Sequence, residues 1–302
     1  MITNKFLLSR RHALVGIAGF TGGLILTSCG NKEDSKSLSL GARFADGFQA
    51  PTVFTSGSPQ RAPYVLINEE GWPLSEGAPD SINLHVKEVS SEETIFEGKV
   101  SRHGERGVIP YFPLIFNPPR SGEYKVEGEG LIGHHRLLVA QPSDIKLIQI
   151  GQKMPSLQTP TMQNNLQINP ICTKSSGPCI LHKESLDESL SKPTPTALLI
   201  STPQFCQQDV CGPALDILIE QSELLGEKLS IIHAEVFKEP AKQNFSVTPV
   251  VEAFGLTFEP SLIVANSENV VTGILHFAMD TEEVGVISDA IPALDQSSNP
   301  AR

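Results

Sequence analysis

Positive charge is scarce in this chain. Its 302 residues hold 23 lysines and arginines against 34 aspartates and glutamates, a formal net charge of −11. Three of the basic side chains (Lys5, Arg10 and Arg11) lie in residues 1–28, which contain no acid, so the remainder carries 20 basic against 34 acidic residues, or −14. Neutralising phosphates with lysine and arginine supplies most non-specific nucleic-acid affinity, and an acidic chain without a basic patch is excluded from that class. Arginine is rarer still beyond the middle, where only Arg302 follows Arg136. Cysteine is sparse, at five residues. A long apolar run is missing too: residues 13–27 are apolar and small, but these fifteen positions fall short of the ~20 that a bilayer-spanning helix needs. Apolar residues nevertheless make up 39% of the chain, in several long runs, which sets it apart from disordered sequences. The length suits two domains of ordinary size.

A positive end followed by a short apolar core reads as an export signal. The core closes in Leu26-Thr27-Ser28-Cys29, which resembles the lipobox of bacterial lipoproteins. That resemblance implies that the Cys29 thiol receives diacylglycerol and that cleavage leaves Cys29 as the first residue. Ser9-Arg10-Arg11 also resembles the twin-arginine export motif, although Ala13 stands where that motif prefers a large apolar residue. The polar run Gly30–Ser37 reads as a flexible tether to a membrane anchor. An exported protein sits where disulfides persist. With Cys29 given to lipid, Cys172, Cys179, Cys206 and Cys211 remain, and their spacing favours pairing 172 with 179 and 206 with 211.

From residue 47 to 142 the chain reads as short strands between turns: Tyr64–Asn68, Ile82–Glu88, Thr94–Val100, Tyr111–Asn117, Glu123–Glu129 and Arg136–Ala140. Such regular spacing predicts an all-β sandwich, and Ser121-Gly-Glu-Tyr124 resembles the tyrosine corner of immunoglobulin-type domains. Adjacent residues on a strand face opposite ways, so His134 and His135 are expected to be solvated rather than joint metal ligands. Residues 143–195 are rich in Pro, Ser, Thr and Gln and read as a linker with one short helix at Ser185–Ser191. After 196 come a buried strand (Thr196–Ser201), a helix (Pro213–Leu225), a strand (Leu229–Val236), a short helix (Pro249–Phe254), a hairpin (Leu262–Ala265 with Val270–Phe277) and a closing helix (Asp280–Ile291). This is an α/β order.

That order resembles the thioredoxin fold, and residues at its key points agree. Phe205-Cys206-Gln-Gln-Asp-Val-Cys211-Gly-Pro213 lies between the first strand and helix, where that family keeps its redox cysteines. Pro260 lies just before the hairpin, where the family places a cis-proline facing them. The chain from about 145 to 291 thus resembles a thioredoxin-like domain of exported lipoproteins. One departure is the spacing, four residues between the cysteines instead of two. Residues five apart on a helix have Cα atoms about 8–9 Å apart, beyond the ~7 Å that a disulfide tolerates. A helix starting near Gly212-Pro213 would leave both cysteines on a loop. Counting from the strand makes Cys206 the attacking thiol, activated near the positive helix end, with Cys211 resolving the mixed disulfide.

Two related chemistries fit less well. Peroxiredoxins with a similar Thr-Pro-x-Cys motif need an arginine, which this half of the chain lacks before Arg302. Copper-delivery proteins of this fold add a distant histidine, but neither His233 nor His276 stands at the family's position. Upstream, Cys172-Thr-Lys-Ser-Ser-Gly-Pro-Cys179 reads as a structural disulfide or a second redox pair. Zinc held by Cys172, Cys179 and His182 lacks a fourth ligand nearby in sequence. The expectation is therefore a signal peptide (1–28), a tether (29–46), an immunoglobulin-like β-sandwich (47–142), a linker (143–195), a thioredoxin-like α/β core (196–291) and a disordered tail (292–302). Exchange runs through Cys206 and Cys211 with support from Pro260, without cofactor or metal. The partners are the bacterial membrane, through the lipid on Cys29, and a protein thiol or disulfide. A non-catalytic partner-binding lipoprotein on the same scaffold is the alternative.

Overall fold

The computed structural model describes residues 37–44, 52–104, 108–206 and 210–285. The export signal, the lipobox with Cys29 and the tail lie outside the described residues. Among the described residues, no helix is long and apolar enough to cross a membrane.

Eight strands build the first half. β1 (Ser39–Ala42), β3 (Gln60–Ile67) and β6 (Phe112–Phe116) form an antiparallel three-stranded sheet. β2 (Phe54–Thr55), β8 (His135–Ala140), β7 (Gly122–Gly128), β4 (Ser81–Glu88) and β5 (Thr94–Ser101) form a five-stranded sheet in that order. The alternation in β4 does what its sequence predicts: Ile82, Leu84 and Val86 are buried while Asn83, His85 and Lys87 are not. These residues meet Tyr64, Leu66, Phe112 and Leu114 of the other sheet in one core. The Tyr124 hydroxyl donates to the Arg120 carbonyl oxygen at 2.8 Å, four residues upstream. β1 falls in the stretch read as tether. At Gly41 an added Cβ would press on the Ile67 side chain of β3. His135 also departs from expectation: it packs edge-on to Phe44 and Tyr64, with Nδ1 3.0 Å from the Tyr64 hydroxyl, while His134 is exposed.

The second half holds α1 (Leu186–Leu190), β9 (Thr196–Ile200), α2 (Cys211–Leu225), β10 (Ser230–Ala234), β11 (Phe237–Glu239), β12 (Asn244–Val247), α3 (Pro249–Ala253), β13 (Ser261–Ala265) and β14 (Val271–His276). Its main sheet runs β10-β9-β13-β14, with β10 parallel to β9 and β13 antiparallel to both β9 and β14. A parallel β-α-β unit is thus joined to a hairpin, the order the sequence predicts. β9 and β13 are buried at every position, as central strands covered on both faces must be. α2 lays Ala214, Leu215, Ile217 and Leu218 on the sheet, whereas Leu224 near its end is 77% exposed. The hairpin β11–β12 inserts between β10 and α3.

Residues 143–195 are not a detached linker. Leu147, Ile148, Met154, Leu186 and Leu190 belong to the core beneath β9 and β13. Gly255, at φ +64°, lets α3 end against this segment, where a Cβ would meet the Lys146 carbonyl oxygen at 2.3 Å. The all-β and α/β parts also share one compact unit. Phe277 enters the sandwich core. Arg61 of β3 makes a bidentate pair with Glu283 (Nε to Oε1 and Nη2 to Oε2, both 2.7 Å) and donates to the carbonyl oxygens of His276 at 2.8 Å and Ala278 at 2.6 Å. The Tyr111 hydroxyl donates to Glu283 Oε2 at 2.6 Å, and His103 Nδ1 lies 2.8 Å from Asp280 Oδ2.

Candidate functional site

Among the described residues, Cys172, Cys179, Cys206 and Cys211 form no disulfide, and the fold gathers them into two groups, 172 with 179 and 206 with 211. In the first, Cys206 follows β9 on a loop and Cys211 is the first residue of α2, two positions before Pro213. The helix thus starts slightly earlier than anticipated, and Pro213 stays in the first turn, where a missing N–H costs nothing. Residues 207–209 between them lie outside the described residues.

The sulfurs of Cys206 and Cys211 and a carboxylate oxygen of Glu259 all lie within 4.8 Å of one another. Glu259 precedes Pro260, and their peptide bond is cis, as the sequence led us to expect. Cys206 is partly exposed while Cys211 is fully buried. Burial, and then the hydrogen bond to Cys206, push the Cys211 thiol well above its ordinary value. Burial, helped by the charge of Cys206, pushes the Glu259 carboxyl up to about 7. Sequence reasoning missed Glu259; its one signal was an acid immediately before the expected cis-proline.

Beside Cys206 and Glu259 opens a groove of about 340 Å³, walled by Val236, Phe237, Val247, Val251, Leu256 and Phe258. The aromatic rings of Phe205, Phe237 and Phe245 meet edge to face at its hairpin side, and Phe245 is half exposed. The other side of the site belongs to the all-β part: Val65, Val108 and Tyr111 pack with Val210 and Ala278, and Cys206 rests against this cluster.

The second group is closed. Cys172, Cys179, His182 and His233 are all buried, and one donor atom from each lies within 4.8 Å of the others. The zinc set of Cys172, Cys179 and His182 wanted a fourth donor, and β10 supplies it as His233, remote in sequence and adjacent in space. Hydrogen bonding from Cys179 pulls the Cys172 thiol down, and the same bond raises Cys179. Nearby, Glu235 is buried, with Oε1 accepting from the Thr173 N–H at 2.5 Å; burial pushes its carboxyl up to about 8. His276 stands apart from both groups, with Nδ1 3.0 Å from Ser261 Oγ.

No family model matches the chain, and a search of curated proteins returns no match. Among solved structures, the chain is similar to a thiol:disulfide interchange protein of the thioredoxin family from Chlorobium tepidum TLS. That likeness has 15% identity and a TM-score of 0.29, over 46% of this chain and 99% of the other. It is slight; the functional reading stands on the site itself.

Proposed function

We propose that the chain is a lipid-anchored extracytoplasmic protein that exchanges thiols and disulfides through Cys206 and Cys211, on a thioredoxin-like α/β core behind an immunoglobulin-like sandwich. The observation that carries the chemistry is the asymmetry of the pair: one sulfur within reach of solvent beside an apolar groove, its neighbour buried and held protonated, and a carboxyl close to both. The lipobox-like Leu26-Thr27-Ser28-Cys29 supports the anchor, and the Tyr124–Arg120 corner supports the immunoglobulin-like reading.

The Cys206 thiolate attacks one sulfur of a partner disulfide, forming a mixed disulfide and releasing a partner thiolate. Cys211 then gives its proton to Glu259 and attacks Cys206. The second partner thiolate leaves, and the Cys206–Cys211 disulfide remains. Two electrons pass from the protein to its partner, and a thiol reductant restores the pair; the reverse sequence oxidises a partner dithiol. An extended apolar segment of the partner fits the groove lined by Val247, Val251 and Phe258.

Reduction potentials test this reading. The full-length chain is equilibrated in graded thiol buffers, trapped, and mapped by mass spectrometry. The Cys206–Cys211 pair should titrate above about −300 mV, in the range of exchange catalysts. A pair that stays oxidised well below that value is a structural staple, and the protein is then a binding module on this scaffold.

A further inference from the structure

The mechanism above uses neither His182, His233, Cys172 nor Cys179, yet these four buried side chains converge from two segments of chain. We propose that Cys172, Cys179, His182 and His233 hold one zinc ion in a closed tetrahedral site.

Distances come first. Zinc bound at about 2.0–2.1 Å to nitrogen and about 2.3 Å to sulfur sets tetrahedral edges of about 3.3 Å between two nitrogens and about 3.6 Å between nitrogen and sulfur. His182 Nε2 and His233 Nδ1 are 3.2 Å apart, and Cys179 Sγ lies 3.7 Å from His233 Nδ1. These two separations match the edges of a metal tetrahedron, and all four donor atoms lie within 4.8 Å of one another.

Proton placement points the same way. His182 Nδ1 faces the Pro160 carbonyl oxygen at 3.2 Å, an acceptor only, so that nitrogen carries the hydrogen and Nε2 presents its lone pair to the cluster. His233 Nε2 lies 3.3 Å from the Ser201 carbonyl oxygen and 3.1 Å from Ser201 Oγ, which places its hydrogen there and turns the Nδ1 lone pair inward. With both outer nitrogens holding hydrogens, the inner nitrogens face each other at 3.2 Å, a contact that calls for a shared proton or a metal ion between them. Carbonyl partners on the outer ring nitrogens are what metal-bound histidines use to fix tautomer and orientation.

Charge selects the ion. Two thiolates and two neutral imidazoles around a divalent metal sum to zero, so the whole unit can be buried. The donor set suits zinc, and with no fifth position or opening to solvent the site is structural rather than catalytic. Its effect reaches the redox loop through the residue beside Cys172. Thr173 Oγ1 accepts from the Gln204 N–H at 3.2 Å and lies 3.5 Å from Thr202 Oγ1. The zinc thereby anchors the turn that carries Cys206.

The full-length chain, purified without oxygen from zinc-supplemented medium and dialysed, should hold one zinc per chain. Reloading the same chain with cobalt(II) should give the intense visible bands and thiolate charge transfer of a tetrahedral site. Cys206→Ser should keep the metal, while Cys172→Ser and His233→Ala should lose it. A folded wild-type chain that takes up neither zinc nor cobalt(II) overturns the proposal, as does a Cys172–Cys179 disulfide formed with metal on offer. Metal retained by His233→Ala but lost from Cys206→Ser overturns it too. Should the histidine variant fail to fold, the metal count and cobalt spectrum of the wild-type chain decide alone.

Discussion

The two cysteine groups lie near the same pair of strands, one on the loop after β9 and the start of α2, the other around His233 of β10, and differ in almost everything around their sulfurs. Cys206 and Cys211 sit at the sheet's C-terminal end with a carboxyl for company, one sulfur within reach of solvent and a groove beside it. Cys172 and Cys179 sit with two imidazoles, all four side chains buried. A sulfur that exchanges must be approached by a partner and must find a proton acceptor. A sulfur that ligates must be shielded and must find further donors. The same residue type is thus read through its neighbours, and the proposed exchange and zinc sites differ in those neighbours.

The comparison breaks most visibly if substitutions cross over. Cys206→Ser should lower the exchange rate at least about 10³-fold in a coupled insulin-type reduction assay, because the attacking thiolate is gone. Its melting temperature should stay near that of the wild type. His233→Ala should do the reverse, with a stability loss of about 4 kcal/mol or more in denaturant titration, since losing a buried metal ranks among the largest single-residue effects. Equal effects of the two variants on stability and on rate would mean that the groups form one site.

Arg61→Met tests whether the all-β half belongs to the redox site rather than to the second group. The arginine bridges β3 to Glu283 with both side chains nearly enclosed, at 10% and 12% exposure. Removing one partner of an enclosed ion pair costs about 3–5 kcal/mol, because Glu283 is left without its counter-charge. Val65 and Tyr111 back the Cys206 wall, so exchange should slow while metal content stays constant. A variant that loses stability but exchanges at full rate would reduce the sandwich to a support.

Much of this was readable before any fold was known. β4 and β7 alternate, β9 is apolar after Thr196, and the cis peptide at Pro260 stands where the resemblance put it. What escaped was long-range. His233 lies in Ser230-Ile-Ile-His-Ala234, a strand buried on nearly every side, where period-two reasoning assigns no face to a histidine. Only the sheet register, which sets His233 opposite Leu199, brings it toward Cys179 and His182. β11 and β12, at three and four residues, are too short to carry a periodic signal, yet they wall the groove. The burial of Leu147, Ile148 and Met154 was hidden for a similar reason, because isolated apolar residues among polar ones gain their meaning from the surface they land on.

Glu259 offers the finest distinction between the groups, since its carboxylate lies within 4.8 Å of both sulfurs of the first pair, whereas Glu235 beside the second group is engaged by the Thr173 N–H. Its carboxyl rises from an ordinary 4.5 to about 7, mainly through burial. The folded state therefore holds a proton that the unfolded chain releases near 4.5. Stability from this group is undiminished below about 4.5, falls as pH climbs toward 7, and levels off above that. Because Glu259 keeps some solvent contact, the change should be about 1–2 kcal/mol rather than the full linkage value. Glu259→Gln should flatten that slope in denaturant titrations at pH 4.5, 6 and 7.5. The carboxylate and the Cys206 thiolate also discourage each other's charge, so the variant should alkylate Cys206 faster above pH 7, where the wild-type acid is ionised. It should be slower in turnover, having lost the acceptor for the Cys211 proton. Faster alkylation with slower turnover separates an acid that moves protons from one that only fills space, since a space-filling acid would leave the turnover unchanged.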